Sequence, residues 1–279
     1  MPRRRLATHP TSRLAIWARR LAIFSLPVAA LAILIERAGL FEILPVLVTF
    51  GAALALALSA IVLALAGLAV IWIDGRDGMG HVLTALALSF LLLAYPGYLL
   101  VKASRLPAIV DVTTDPYDPP RFEAVARLRA REANPVSYPG LVSYQLQKEA
   151  YPDIAPLDEN VEALTAYNAA LAVLLKRKWR VVDAREPQPG RRDGHIEAIA
   201  RTAIMGFRDD VVIRIRAAGT GSRIDVRSAS RYGYHDFGTN AARITSLLED
   251  IDDVAVPDKT DQPVKKTAKA PAPGQPAKR

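Results

Sequence analysis

Ser228, Ser230, His235 and Asp236 fall close together near the C-terminal end of the chain. They are the residue types of a nucleophilic triad, in which a base activates a hydroxyl and an acid orients the base. Closeness in sequence is not triad geometry, and no nucleophile-elbow glycine pattern flanks either serine. The simpler reading is two small residues packed beneath a helix and an aspartate that caps it. His195, His235, Asp209 and Asp210 are ligand types for a metal, but their spacing matches no ligand pattern. Asp209 and Asp210 sit where a hairpin turn is expected. No catalytic residue, metal or cofactor is assigned. No glycine loop is present to cradle a phosphate. With no cysteine in the chain, thiolate catalysis, disulfides and cysteine-based metal sites are excluded.

Arginine carries the remaining chemistry. Alternate side chains of a strand point to opposite faces. Applied to three adjacent strands, that rule gives a sheet one polar face. Glu197 and Arg201 come from one strand, Arg214 and Arg216 from the next, and Asp225, Arg227 and Arg231 from the last. One reading is a solvated ion-pair lattice on an exposed sheet face, worth little per pair. The other is an arginine-lined surface for a carboxylate, a phosphate or a lipid headgroup, which the guanidinium fork suits. The candidate ligand-binding residues are Arg214, Arg227, Arg231, Asp236 and Asn240. Asn240, at a helix start, equally suits a bond to backbone.

The elements that position these residues centre on RIDVRSASRYGYHDFGTNAARI, from Arg223 to Ile244. Ile224, Val226, Ser228 and Ser230 share one face of a strand, and Arg223, Asp225, Arg227, Ala229 and Arg231 the other. Gly233 and Gly238 bracket a turn. Asp236 or Thr239 caps the following helix, in which Ala241, Ile244, Leu248 and Ile251 recur at helical spacing.

That stretch resembles the family called domain of unknown function 1499, as do IEAIARTAIMGFRDDVVIRI (Ile196 to Ile215), PPRFEAVARLRAREANPVSYPG (Pro119 to Gly140) and AYPDIAPL (Ala150 to Leu157). The resemblance covers about the second half of the chain. It implies a shared fold and an exported or membrane-tethered context. No established activity comes with it.

The composition is 51% hydrophobic and 23% charged, with a net charge of +8. The apolar residues crowd the first hundred positions and the charges the rest, which reads as a membrane part and a soluble part. Arg3, Arg4, Arg5, Arg13, Arg19 and Arg20 precede the first apolar run, and Lys265, Lys266, Lys269, Lys278 and Arg279 close the chain. Such end clusters orient a membrane protein or solvate a tail. Nucleic acid is not an expected partner, because the basic residues lack interleaved aromatics.

Residues 1–20 read as a basic cytoplasmic N-terminus and 21–101 as a membrane domain of three helices. Leu21 to Ile35 is short for a span unless its flanks are recruited. A signal peptide competes there, but the small residues sit inside the run rather than after it. Ile43 to Ile73 and Val82 to Val101 are long enough to cross, and Trp72, Tyr95 and Tyr98 suit the interfaces. The arginine bias keeps the N-terminus in the cytoplasm. Three crossings then place the rest in the periplasm of an inner-membrane, multi-pass protein.

Residues 102–157 read as a proline-rich tether with extended pieces wrapping the soluble domain, and a short helix near Arg121 to Arg131. The soluble domain is expected over 158–256. Asp158 would cap a helix striped by Val161, Leu164, Leu171 and Leu174. Strands are expected at Trp179 to Ala184, His195 to Ile204, Val211 to Arg216 and Arg223 to Arg231. Short connections make them antiparallel. Residues 257–279 read as a disordered basic tail. The fold class is therefore α+β: three transmembrane helices followed by a two-layer α/β domain with an antiparallel four-stranded sheet. The leading functional reading is a non-enzymatic binding or scaffolding module of the bacterial cell envelope. Its partners would be the lipid bilayer and an anionic ligand or envelope protein. The runner-up is an envelope enzyme acting on an anionic or lipid substrate held by the arginine-lined face.

Overall fold

Alanine decides how the N-terminal helices meet. In α1 (Arg13–Ala38), Ala15, Ala18, Ala22, Ala29 and Ala32 are buried along one stripe. In α2 (Ile43–Asp74), Ala53, Ala57, Ala60, Ala64 and Gly67 form its counterpart. Small residues let helix backbones approach closely. At Gly67 a Cβ would lie 2.9 Å from the Ala15 amide nitrogen, so even alanine would push α1 away. α3 (Met79–Ala103) closes the bundle through Val82 and Ala85. The large apolar side chains, among them Leu31, Val62, Phe90 and Leu91, point outward and are exposed. Small residues inside and large apolar ones outside reverse the pattern of a water-soluble bundle.

The computed structural model describes residues 9–39, 42–188, 190 and 192–255. Arg3, Arg4, Arg5 and the predicted tail at 257–279 lie outside them. All three helices are long and apolar enough to cross a membrane. α1 reaches beyond the short run at Leu21–Ile35 by recruiting Arg13 to Arg20. Ser12 caps it by accepting from the Ala15 amide at 3.5 Å.

Beyond the helices lies one antiparallel sheet. β1 (Asp111–Thr113) and β2 (Leu157–Glu159) are short. β3 (Arg180–Arg185), β4 (Gly194–Arg201), β5 (Arg208–Ala218) and β6 (Gly221–Ser230) are the four predicted strands. The order is β1-β6-β5-β4-β3, and β2 also pairs with β6. The sheet thus has six strands rather than four. β1 comes from the segment read as a tether, which also holds a 3₁₀ turn (Val125–Leu128) and α4 (Leu141–Ala150), and β2 straddles the tether's end. Asp158 lies in β2, not at a helix cap. α5 (Ala163–Lys176) begins later and buries Ala166, Ala170, Val173 and Leu174, leaving Leu164 outside. α6 (Thr239–Ala255) buries Ala241, Ile244, Leu247 and Ile251.

Strand parity sorts the core. Ile196, Ala198, Ile213, Ile215, Ile224 and Val226 face α5 and α6. The opposite face carries Ile199, Val212 and Ala229, packed against Phe122 and Val125. That face was expected to be exposed. Instead residues 115–138 lie across it as a strap, so the sheet is buried on both sides.

The β4–β5 turn docks the sheet on the helices. Met205 is buried with Ala32 and Val46, and Phe207 packs beside it. Arg37, in the last turn of α1, donates to the carbonyls of Ala203 and Ile204. Gly206 has φ +83, and a Cβ there would lie 2.8 Å from Arg37 Cγ. Only glycine meets both demands at no cost.

Candidate functional site

The predicted arginines hold the strap down. Arg227 is 2% exposed. Its Nε and Nη2 donate to the two carboxylate oxygens of Asp111 at 2.9 and 2.6 Å. It also donates to the carbonyls of Pro120 and Val136, and its guanidinium lies 4.6 Å from the Phe122 ring centre. Arg231 donates twice to Asp210 at 2.9 and 2.7 Å and once to the Leu128 carbonyl. Arg129, from the strap, meets the other oxygen of Asp210 at 2.7 Å. Arg214 and Arg216 share Asp225 and Asp115, and Arg214 also holds Asp118. A guanidinium taken out of water needs most of its donors occupied. Here carboxylates and strap carbonyls occupy them.

Glu197 completes the clamp. One of its carboxylate oxygens accepts from the amides of Glu123 and Ala124 at 2.8 and 3.0 Å, and the other from Val125 at 2.8 Å. His195 Nε2 lies 2.8 Å from the first oxygen. Burial alone would raise this carboxyl. The His195 contact and the three backbone donors outweigh it and hold the pKa below the ordinary 4.5. Glu123, His195 and Glu197 bring potential metal-ligand atoms within 4.8 Å of one another. Those atoms are already committed, since Glu123 also pairs with Arg185 at 2.7 Å. The donor set fits a structural cap better than a cation cage. By residue type the sequence offers His195 with His235, Asp209 and Asp210, at a spacing that matches no ligand pattern.

Asp236 and Asn240 lie on the other side of the sheet, apart from the arginine clamp. Asp236 accepts from the amides of Gly238 and Asn240 at 2.8 and 2.9 Å, so it caps α6 as the sequence suggests. Asn240 donates to the Val110 carbonyl and to Ser230 Oγ, both at 3.0 Å, and accepts from Ser228 Oγ at 2.8 Å. Arg243 bridges Ser228, Asn240 and Asp209. His235 Nδ1 accepts from the Phe237 amide at 2.8 Å. Its Nε2 must then carry the proton, and it donates to the Leu106 carbonyl at 3.1 Å. Neither serine contacts this histidine. The triad types form a packing network.

Beside that network is a cleft of about 270 Å³ between the helices and the sheet. Leu47 of α2 and Tyr95, Tyr98 and Leu99 of α3 make its apolar wall. Met205 and Phe207 continue the wall from the docking turn. Lys102, Arg208, Asp209 and His235 make its polar end. Burial pushes the Asp209 carboxyl above its ordinary 3.8, against the opposing pull of Arg243. Sequence reasoning missed this cleft because its two walls are about a hundred residues apart. The interfacial tyrosines were its one visible signal.

An apolar three-helix bundle carrying a helix-covered antiparallel sheet defines a two-part α+β protein. Residues 111–251 match the family described as protein of unknown function (DUF1499), and the chain belongs to that family. No curated protein matches the chain. A solved structure described as "Crystal structure of Ara h 8.0201" is 13% identical, with a TM-score of 0.24. The likeness covers 37% of this chain and 95% of that one, and it carries no functional argument.

Proposed function

We propose that the chain is a non-enzymatic binding module of the bacterial cell envelope, and that its ligand is a membrane lipid. The observation that carries this reading is the cleft with one wall from α2 and α3 and one end from the sheet domain. An acyl chain suits Leu47, Leu99 and Met205. An anionic headgroup suits Lys102. Ligand sites of this kind are largely apolar with a few polar groups fixing orientation. Asp236, Asn240, Ser228 and Ser230 are held in mutual or backbone hydrogen bonds, which suits a scaffold more than a reaction centre.

In this reading α1, α2 and α3 span the inner membrane. The end bearing Arg13, Arg19, Arg20 and Arg76 is cytoplasmic, and the sheet domain is periplasmic. Counted along the chain beside the helix ends, the opposite end has Arg37, Lys102 and Arg105 among the described residues, and the side with more basic residues flanking the helices stays inside.

Native mass spectrometry of the full chain, extracted in mild detergent, tests the lipid reading. One retained lipid per chain is expected, and it should be lost when Leu47→Trp and Leu99→Trp fill the cleft. No retained lipid, or equal retention in that variant, would overturn it. Asp209 favours a second reading, an enzyme acting on a lipid substrate, because a carboxylate oriented by Arg243 lines the polar end of the cleft. A different lipid species retained by Asp209→Asn would move the assignment to that reading.

A further inference from the structure

A second surface lies where the sheet meets the end of α1, and the charged residues that line it are all basic. β3 begins at Arg180, β4 ends at Arg201 and β5 begins at Arg208. Arg201 and Arg208 are direct cross-strand partners. Like charges directly opposite one another destabilise a sheet, so this placement costs the fold something. With Lys178 and Trp179 they line a cleft of about 550 Å³ that also takes in Ala38 of α1. No described carboxylate lines it. Two further arginines of the lining are neutralised: Arg177 by Asp250 and Arg231 by Asp210. Lys178, Arg180, Arg201 and Arg208 form no ion pair with a described carboxylate. Glu36, buried in α1, faces Arg201 and Arg208 from beyond contact distance.

The backbone of Lys178 adds a second observation. It has φ 56, directly after the C-cap of α5. Glycine or asparagine is the ordinary choice in that left-handed position, because a longer side chain is strained there. A lysine is held at a position where helix geometry alone would select glycine.

We propose that this cleft seats the domain on the anionic surface of the bilayer leaflet from which α1 emerges, with lipid phosphates held by Lys178, Arg180, Arg201 and Arg208. The proposal rests on α1 spanning the membrane, but not on a lipid occupying the cleft beside α2 and α3. Guanidinium groups match phosphate geometry. Ala38 sets the cleft level with the end of α1, and Trp179 suits the headgroup layer. Each basic residue near such a surface favours binding about fivefold.

Hydrogen exchange of the full chain in lipid nanodiscs tests it. Amides of residues 177–181 should exchange several-fold more slowly in discs containing phosphatidylglycerol than in phosphatidylcholine alone. High salt should erase the difference. Lys178→Gly with Arg180→Thr should also erase it, while exchange in β5 and β6 stays unchanged. Both substitutions suit their backbone positions, so the fold is kept. Equal exchange in the two kinds of disc would overturn the proposal. Equal protection by soluble inorganic phosphate in phosphatidylcholine discs would also overturn it, in favour of a free anion. Neither result depends on Leu47 or Leu99, so the two sites fail separately.

Discussion

Arg227 and Asp111 meet through two parallel contacts of 2.9 and 2.6 Å, across 116 residues of chain. Asp111 opens β1, the first strand after the helices, and Arg227 lies in β6, near the end of the fold. Their pairing fixes the register of β1 on β6, where Asp111 stands opposite Ala229 and Thr113 opposite Arg227. Arg227→Ala leaves a buried carboxylate without its partner, and such a loss costs about 3–5 kcal/mol. The expected result is a clearly lower thermal midpoint in detergent. Arg227→Met together with Asp111→Leu should recover much of the loss, because a buried ion pair is often replaceable by apolar residues of similar size. If the single variant melts like the parent, the strap is held by something else.

Glu197 predicts a pH dependence. Its folded pKa lies below its ordinary value. A carboxyl of this kind contributes stability that is fully present above the unfolded pKa of 4.5 and is lost as pH falls through the lower folded value. The parent should therefore lose stability more steeply than Glu197→Gln as pH falls below about 5. Near neutral pH the variant should be the less stable of the two, since the amides of residues 123–125 keep only a neutral acceptor. Thermal midpoints from acid to neutral pH, compared between the two proteins, check the sign. Parallel curves would remove Glu197 from the account.

The apolar helices, the four long strands and the cap at Asp236 were legible because each depends on local pattern: run length, alternation, or one oxygen at a helix start. The strap was not. Arg214, Arg227 and Arg231 alternate with apolar residues, as an exposed polar face would. Nothing local says that Pro119 to Tyr138 returns to cover them. The proline-rich composition pointed to extended chain but hid α4 and the pairing of Asp111–Thr113 and Leu157–Glu159 with β6. Arginines that could have received a ligand receive carboxylates and carbonyls from their own chain instead. The turn expected at Asp209 and Asp210 forms just before them, and only the packed structure shows that α1 is what it turns against.

The absence of cysteine makes membrane topology directly measurable. Tyr234 is 91% exposed on the sheet domain, and Arg76 lies in the loop between α2 and α3. Tyr234→Cys should react with a membrane-impermeant maleimide added to intact spheroplasts. Arg76→Cys should react only after lysis. The reverse pattern would place the domain in the cytoplasm and remove the envelope reading, whatever the fold.

The docking turn offers the sharpest test of whether sheet and helices act as one unit. Gly206 must hold φ +83 and leave room for Arg37 Cγ, which would lie 2.8 Å from any added Cβ. Alanine there is strained by its backbone, which costs more than about 1 kcal/mol, before the displacement of Arg37 is counted. Arg37 donates to Ala203 and Ile204, and Met205 sits between Ala32 and Val46. Displacing Arg37 should therefore loosen the whole turn rather than one contact. Gly206→Ala is expected to speed hydrogen exchange across residues 202–207 several-fold while leaving the centre of β5 and β6 protected. Lipid retention should fall with it, because Met205 and Phe207 supply part of the cleft wall. Faster exchange in the turn with unchanged lipid retention would separate docking from binding and confine the lipid contact to α2 and α3.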